Sequence, residues 1–200
     1  MNDGSIIPWG HEPKPMTTPI DIECEIRAFV TDGQYGELLD KLRSIAVYAG
    51  QDDQTTYYFE GNGDPDLRIQ RNARGAKIWY KGGKMHDDAR REIEILCHGD
   101  GDFGKLENLF LALGYRVSIK WFRARHIFKI GDVTVTLDDT KGYGKIIEFE
   151  KICREHEREA ALAELELKMG ELGVVPTPKE DFDRRYAEYK KDWRSLTGEA

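Results

Sequence analysis

The sequence lacks the features that mark several large classes of protein. It contains 3 cysteines in 200 residues, widely separated and without a Cys-x-x-Cys pair. This spacing argues against a disulfide framework or a zinc ribbon and predicts buried, reduced thiols. No apolar run of about 18 residues occurs, and residues 1–19 have neither a basic start nor a hydrophobic stretch of signal-peptide length. We therefore expect a soluble cytoplasmic protein that does not enter membranes.

Excess positive charge is also missing. The chain has 30 Lys and Arg against 37 Asp and Glu, a formal net charge of −7, and a pI near 5.4. A general duplex-DNA binder normally presents a strongly basic face, so this function is not expected. The length suits one domain of mixed class with appended segments better than two full domains.

Alternating apolar and polar residues predict an antiparallel sheet in an α+β domain over residues 20–152. Residues 1–19 hold four prolines and predict an extended or disordered lead-in. Helices are expected over 37–49, ended by Gly50, and around 106–113, ended by Gly114. Eight segments have the pattern of strands: 20–30, 55–59, 67–72, 76–81, 90–95, 116–130, 133–138 and 145–150.

The C-terminal part, 153–200, consists mainly of helix-forming residues. One apolar stripe at helical spacing runs from Leu162 to Leu172 before Gly173, and a second runs from Phe182 to Trp193. The segment 177–180, Thr-Pro-Lys-Glu, resembles a capping box with proline at the first helical position. These helices are expected to pack on the body of the domain, or alternatively on a partner such as a second copy in a homodimer.

Carboxylates recur two residues apart on the predicted strands, at 23 and 25, at 92 and 94, and at 148 and 150. Since successive side chains of a strand point to opposite sides, each pair lies on one face and apolar residues lie on the other. One possibility is an open sheet whose charged face is simply solvated. The other is a sheet that closes on itself, with the charged face inward and the helices covering the apolar exterior.

An inward charged face would hold many carboxylates close together, which requires counter-charge. Hard divalent cations such as Mg²⁺ or Mn²⁺ prefer oxygen ligands and would fit among them. Guanidinium and ammonium groups on the neighbouring strands would bind phosphate oxygens directly. This second arrangement therefore predicts a site for a nucleotide or a polyphosphate.

A series of short motifs begins with Glu23-x-Glu25-x-Arg27 on the first predicted strand and ends with Glu148-x-Glu150 on the last. This series resembles the CYTH, or triphosphate tunnel metalloenzyme, superfamily, which includes class IV adenylate cyclases and thiamine triphosphatase-like proteins. The segment 23–27, Glu-Cys-Glu-Ile-Arg, is similar to the Glu-x-Glu-x-Lys signature, with Arg27 in place of lysine. Further motifs follow in the family's order: Tyr58-Phe59, Leu67-Arg68-Ile69, Tyr80-Lys81-Gly82, Arg90-x-Glu92-x-Glu94, Arg123-x-Arg125, Leu137-Asp138, Gly142-Tyr143-Gly144 and Glu148-x-Glu150. The resemblance covers about residues 20–152.

The resemblance implies an eight-stranded antiparallel, closed or nearly closed β-barrel with peripheral helices, and an enzyme that acts on a triphosphate with Mg²⁺ or Mn²⁺. A metal-dependent triphosphate hydrolase is the first expectation, with inorganic tripolyphosphate or a nucleoside or thiamine triphosphate as its small-molecule substrate. A class IV adenylate cyclase is the second. A noncatalytic polyphosphate-binding module is the third.

The resemblance also implies roles for individual residues. Glu23, Glu25, Glu148 and Glu150 would be the principal metal ligands, assisted by Asp138 and by Glu92 or Glu94. Phosphate oxygens would be bound by Arg27, Arg68, Lys81, Arg123 and Arg125, and by Lys77, which shares the parity of Lys81. The residues expected to take part in catalysis are Glu23, Glu25, Arg27, Glu148 and Glu150.

The sequence departs from the family pattern at three positions. Arg27 replaces the signature lysine, so a deprotonated amine cannot act there. Thr56 stands where the family often has Asp, and Gln70 replaces the second arginine of the common Leu-Arg-Ile-Arg motif. Arg71 has the parity of the opposite face and is a poor substitute for that arginine, and Lys120 also has that parity unless the strand bulges.

Overall fold

The first and last strands of the chain are neighbours in one sheet. A computed structural model describes residues 21–61, 66–82, 91–99 and 101–199, so the predicted lead-in at 1–19 lies outside the described residues. Strand β1 (Asp21–Val30) pairs antiparallel with β8 (Gly144–Arg154). The remaining strands are β2 (Val47–Glu60), β3 (Asp66–Asn72), β4 (Gly75–Gly82), β5 (Arg91–Cys97), β6 (Arg116–Ile130) and β7 (Val133–Thr140).

All pairings in the sheet are antiparallel, and its order is β1-β8-β7-β6-β2-β3-β4-β5. The sheet curves into a nearly closed tunnel, with β1 and β5 as the outermost strands of that order. The prediction of an α+β fold with eight antiparallel strands is therefore confirmed. Within the described ranges, no helix is long and apolar enough to cross a membrane.

The outer face of the sheet is the face that carries Cys24, Ile26 and Ala28. Helix α1 (Asp32–Ile45) and helix α3 (Arg158–Glu171) cover it over β1, β8, β7 and part of β6. Their apolar stripes meet Phe128, Val135, Leu137, Ile147 and Phe149 in one buried cluster. This packing stabilises the sheet, because it removes the apolar side of each of these strands from water, while the polar residues that alternate with them lie on the other face.

Helix α2 (Asp102–Ala112) covers the other part of the outer face. Phe103, Leu106 and Phe110 pack there against Phe59 and Ile69 in a second buried cluster. The predicted termination of this helix at Gly114 agrees with its positive φ of 88°. Helices on the apolar exterior were expected, and α1, α2 and α3 meet that expectation.

The boundary between α1 and β2 differs from the prediction. The helix ends at Ile45, and residues 47–60 form a strand, whereas a helix over 37–49 and a strand from 55 were predicted. Gly50 is not a helix cap but lies within β2, at φ 129°, where the pairing with β6 shifts register. The extended conformation of Val47 and Tyr48 is stabilised by pairing with β6, a partner about 80 residues away that local periodicity does not report.

The last helix, α4 (Lys179–Thr197), packs on the inner face, which carries Glu23, Glu25 and Arg27. Its Tyr189 and Trp193 form a buried cluster with Ile119 and Trp121 of β6. This position was not expected, because helices were predicted on the exterior.

The connection to α4 explains how the chain reaches the inner face. The Thr177 N–H donates to the Arg27 carbonyl (3.0 Å), and the Phe29 N–H donates to Thr177 Oγ1 (3.0 Å). These bonds hold the segment along the outer edge of β1, so the chain crosses from one face of the sheet to the other there. The predicted capping box at 177–180 is wrong. The Thr177 hydroxyl accepts its hydrogen bond from Phe29 of β1, and the N-cap of α4 is Pro178, which makes no side-chain capping bond.

The turn between β7 and β8 lies directly against α4. Gly142, between β7 and β8, has φ 73°, and a Cβ placed on it would come within 2.6 Å of Leu196 Cβ. Tyr143 of the same turn packs edge-on against Tyr189 and contacts Trp121. Glycine is required at 142 both by its backbone conformation and by the close approach of the helix.

The three cysteines are free. Cys24 and Cys153 are buried, as predicted, whereas Cys97 on β5 is half-buried. Burial, together with the hydrogen bond to Cys153, raises the pKa of the Cys24 thiol to about 11.

Candidate functional site

Three carboxylates meet on the inner face at the junction of β1 and β8. Glu25 is directly opposite Glu150 in the strand register, and Glu23 lies two residues before Glu25 on the same face of β1. One ligand oxygen from each of the three lies within 4.8 Å of the others, and all three side chains are half-buried. We call Glu23, Glu25 and Glu150 the acid cluster.

The acid cluster is electrostatically crowded. Burial raises the pKa of Glu150 to about 8, and repulsion from Glu148, Glu23 and Glu25 adds to the shift against the opposing effect of Arg125. Three close carboxylates offer only hard oxygen donors, which suits a divalent cation of the Mg²⁺, Mn²⁺ or Ca²⁺ type. The residues present therefore fit a metal site, and a bound cation would relieve the repulsion.

Asp138 is the centre of an ion-pair network next to the acid cluster. Its carboxylate is 1% exposed and accepts hydrogen bonds from Arg123 (3.0 Å) and from two nitrogens of Arg125 (2.6 and 2.7 Å). Arg125 also donates to Glu148 (2.5 Å). This arrangement fixes two guanidinium groups on the inner wall, and we call these four residues the guanidinium network.

Glu148 and Glu150 have opposite electrostatic environments although they are two residues apart. Burial acts to raise the pKa of Glu148, but Arg125, Arg123 and Arg27 outweigh it and lower that pKa to about 2. Burial also acts to lower the pKa of Arg125, and Asp138 and Glu148 outweigh it, so that this pKa lies well above its ordinary value. The ionised form of Glu148 is thus stabilised by arginine, whereas the protonated form of Glu150 is favoured when no cation is bound.

Arg27 lies between the acid cluster and the guanidinium network. It pairs with Glu148 in the strand register and forms a salt bridge to Glu25 at 3.1 Å. Its guanidinium carbon is also 4.7 Å above the ring of Phe182 of α4. Helix α4 therefore contacts a side chain that was expected to bind phosphate.

Arg68 lies further along the inner face, close to α4. It makes two hydrogen bonds to Asp66, at 2.6 and 2.7 Å, and its guanidinium carbon is 4.4 Å from the ring centre of Tyr58 and 5.7 Å from that of Trp79. Burial acts to lower its pKa, but Tyr58 and Asp66 outweigh burial and raise it. This guanidinium is always charged and has a defined orientation.

Lys77 and Glu94, on β4 and β5, form a pair of their own. The ammonium is 2.7 Å from the carboxylate and 3.9 Å from the ring centre of Trp79. Glu94, which lies on the strand at the opposite end of the sheet order from β1, is therefore paired with the lysine of β4. Lys81 and Glu92 pair in the register of these strands, but their side chains lie outside the described residues.

An amide-rich network continues the polar wall and was not identified from the sequence. Gln54 accepts from Arg123 Nε (3.1 Å) and from Gln70 (3.1 Å), and Gln70 also bonds to Thr56 (3.0 Å). Asp52 accepts from Gln54 (2.7 Å) and from Asn72 (3.0 Å). Strand β2 was predicted to start at residue 55. This start excluded Gln54 and Asp52, although both share the parity of Thr56.

Arg71 and Lys120, for which outward parity was predicted, have side chains that lie away from the inner face. The Arg71 guanidinium carbon is 5.1 Å from the ring centre of Phe103 of α2, and Lys120 Nζ is 4.6 Å from that of Tyr57. Gln70, which replaces an arginine of the family motif, is buried and takes part in the amide network instead.

Among the inner-face side chains of the clusters and pairs described above, negative charge is in excess. The basic ones are Arg27, Arg68, Lys77, Arg123 and Arg125. The acidic ones are Glu23, Glu25, Asp52, Asp66, Glu94, Asp138, Glu148 and Glu150. A polyanion would be repelled by this balance, and cations at the acid cluster would reverse the repulsion.

The stability of the metal-free protein is expected to fall as the pH rises from about 4.5 to about 8. Within this window the folded state keeps the proton of Glu150, whose pKa is raised to about 8, while the unfolded state loses it. Thermal unfolding in EDTA at about pH 6 and about pH 8.5 should show the decrease, and Mn²⁺ should restore more stability at the higher pH.

The variant Glu150→Gln is the matched control for this pH dependence. It removes the titrating carboxyl, so its metal-free stability should stay nearly constant over the same window. If the variant lost stability with pH as steeply as the unchanged protein, Glu150 would not be the group responsible.

Comparisons with known proteins identify relatives of the whole sheet. The CYTH domain family matches residues 21–186. A Methanocaldococcus jannaschii protein, MJ0240, named as a candidate adenylate cyclase, is 27% identical over 154 residues, which cover 72% of this chain and 85% of the relative.

Solved structures share the fold. The Pyrococcus horikoshii protein PH1819 superimposes with a TM-score of 0.65 at 27% identity, covering 78% of this chain and 93% of that protein. A Hippeastrum protein, whose structure is described as revealing a dominant triphosphatase activity, gives a TM-score of 0.55 at 17% identity over 78% of this chain and 89% of its own.

Proposed function

Because the chain belongs to the CYTH domain family, we propose that it is a divalent-metal-dependent hydrolase of a small triphosphate, bound on the inner face of the sheet. One observation carries this proposal: the acid cluster and the guanidinium network adjoin each other, with Arg27 between them. A cation site next to fixed guanidinium groups is the combination that a chain of phosphates requires.

The acidic and the basic residues of the site are proposed to have different roles. Glu23, Glu25 and Glu150 would hold a cation, for which Mg²⁺ and Mn²⁺ are the proposed identities. When bound, such a cation neutralises charge on phosphate oxygens and makes a water molecule a better nucleophile. Arg27, Arg123 and Arg125 would bind non-bridging phosphate oxygens and stabilise the charge that develops as the phosphoryl group is transferred.

Asp138 and Glu148 are proposed to position the arginines rather than to hold the cation. Both were expected to be metal ligands, but Asp138 accepts three bonds from two guanidiniums and Glu148 accepts one from Arg125. Held in this way, the guanidinium groups lose little conformational freedom when phosphate binds. Lys77 and Arg68 would extend the phosphate-binding wall towards β4.

A class IV adenylate cyclase is the second candidate, and the relative from Methanocaldococcus jannaschii favours it by its name. The same phosphate-binding residues would serve this reaction, with a ribose 3′-hydroxyl attacking the α-phosphorus in place of water. The Hippeastrum neighbour, named as a candidate adenylyl cyclase yet described as having dominant triphosphatase activity, supports hydrolysis as the first choice.

The decisive experiment incubates the purified protein with tripolyphosphate, ATP or thiamine triphosphate and with Mg²⁺ or Mn²⁺. Orthophosphate, pyrophosphate and cyclic nucleotide are measured separately. We expect orthophosphate from at least one substrate and none in EDTA. Cyclic AMP with pyrophosphate as the main products would establish the second candidate, and binding without turnover would indicate a polyphosphate-binding module.

Replacing Arg123 by glutamine should lower kcat/KM for the substrate by roughly 10- to 100-fold, because a charge-assisted bond to phosphate is lost. Steady-state kinetics at saturating metal measure this effect. Arg71→Gln is the matched control, since Arg71 lies against Phe103 on the outer face. Equal losses in the two variants would argue against a role of Arg123 in phosphate binding.

A further inference from the structure

Two thiols lie directly behind the acid cluster. Cys24 Sγ and Cys153 Sγ are 3.4 Å apart, and the side chains are 0% and 6% exposed. Cys24 stands between Glu23 and Glu25 in the sequence, so its thiol and these carboxylates occupy opposite faces of β1. The pair is buried in the cluster that β1 and β8 form with helix α3.

The strand register brings the two thiols together. Cys24 is opposite Lys151 and Cys153 is opposite Ile22, so the cysteines are diagonal neighbours on one face of an antiparallel pair. In a disulfide the sulphurs are about 2.05 Å apart, and an approach of roughly 1.3 Å would therefore suffice for the bond to form.

We propose that Cys24 and Cys153 are a covalent modification site, at which a reversible disulfide ties the first strand of the sheet to the last. A peroxide is the two-electron oxidant. It oxidises the Cys153 thiol, the less buried of the two, to a sulfenic acid with release of one water, and the Cys24 thiol then attacks that sulphur and displaces a second water. Two thiols and one hydrogen peroxide thus give one disulfide and two waters, and a dithiol reductant reverses the change.

The bond would join positions 129 residues apart. Closing so long a loop restricts the unfolded chain strongly, so oxidation should raise the unfolding midpoint by roughly 5–15 °C. It would also hold β1 and β8 together at the level where the carboxylates of the acid cluster repel each other. Cys97 lies on β5, the strand at the other end of the sheet order, and provides an internal control.

The test treats the full-length protein with hydrogen peroxide in EDTA and follows it by intact mass, peptide mapping and thermal unfolding. We expect a mass lower by roughly 2 Da, the loss of two hydrogens, and a cross-linked peptide pair containing Cys24 and Cys153. Dithiothreitol should remove both the cross-link and the increase in unfolding midpoint. Cys97→Ser should retain all of these changes, whereas Cys24→Ser and Cys153→Ser should show neither the cross-link nor the increase.

Three results would overturn the proposal: both cysteines remaining available for alkylation after oxidation, sulfinic acid at either position, or a cross-link from either position to Cys97. If the serine variants at 24 or 153 do not fold, peptide mapping of the unchanged protein and of Cys97→Ser still decides between these outcomes.

Discussion

Replacing Glu23 by glutamine is expected to lower metal-dependent triphosphate turnover by about 100-fold or more while the protein stays folded. Glu23 contributes one of the three carboxylates that lie within 4.8 Å of one another. The amide retains the shape of the side chain but binds a hard cation much more weakly than a carboxylate does. The loss should therefore be visible both in kcat/KM and as a higher Mn²⁺ concentration for half-maximal activity.

The same substitution should stabilise the metal-free protein, because it removes a charge that repels Glu25 and that disfavours the ionised form of Glu150. Activity and stability are thus expected to change in opposite directions, which a merely misfolded variant cannot do. Glu166→Gln, on the exposed side of α3, is the control and should alter neither quantity. Undiminished turnover in Glu23→Gln would remove the acid cluster from the proposed active site.

Replacing Asp138 by asparagine should lower the free energy of unfolding by about 3–5 kcal/mol, since it removes the shared counter-ion of two partly buried guanidinium groups. Arg125 would keep Glu148 as a partner, but Arg123 would lose its carboxylate. Urea unfolding of the metal-free protein measures this change. The metal concentration for half-maximal activity should change little if Asp138 positions arginines and does not bind the cation.

Asp139→Asn provides a closely matched control. Asp139 is the next residue of β7, its side chain is 46% exposed, and it pairs with Lys145 at 2.7 Å. Exposed ion pairs contribute little, so the loss of stability should stay below about 1 kcal/mol. Similar losses at the two positions would show that the guanidinium network does not depend on a buried counter-ion.

The sequence predicted the sheet well because strand alternation is a local property. A side chain at 23 or 25 shares a face with its neighbour two residues on, whatever the rest of the chain does. This parity correctly placed Arg71 and Lys120 on the outer face. It failed where tertiary contacts override local pattern, as at residues 47–54. The helix was predicted to run to 49 and the strand to begin at 55, yet these residues pair with β6.

By itself, therefore, the sequence determined the existence of the eight strands, the face on which the charged side chains of the predicted strands lie and, through the order of its motifs, the family. Only the tertiary structure decided which of those charged side chains form ion pairs with each other. Glu148 and Asp138 have the same inward parity as Glu150, yet they neutralise arginines, whereas Glu150 joins the carboxylates of β1. The structure also placed α4 on the inner face, where Phe182 contacts Arg27. The physical reason is that parity follows from the geometry of one strand, whereas ion pairing and helix placement depend on distances between segments far apart in the chain.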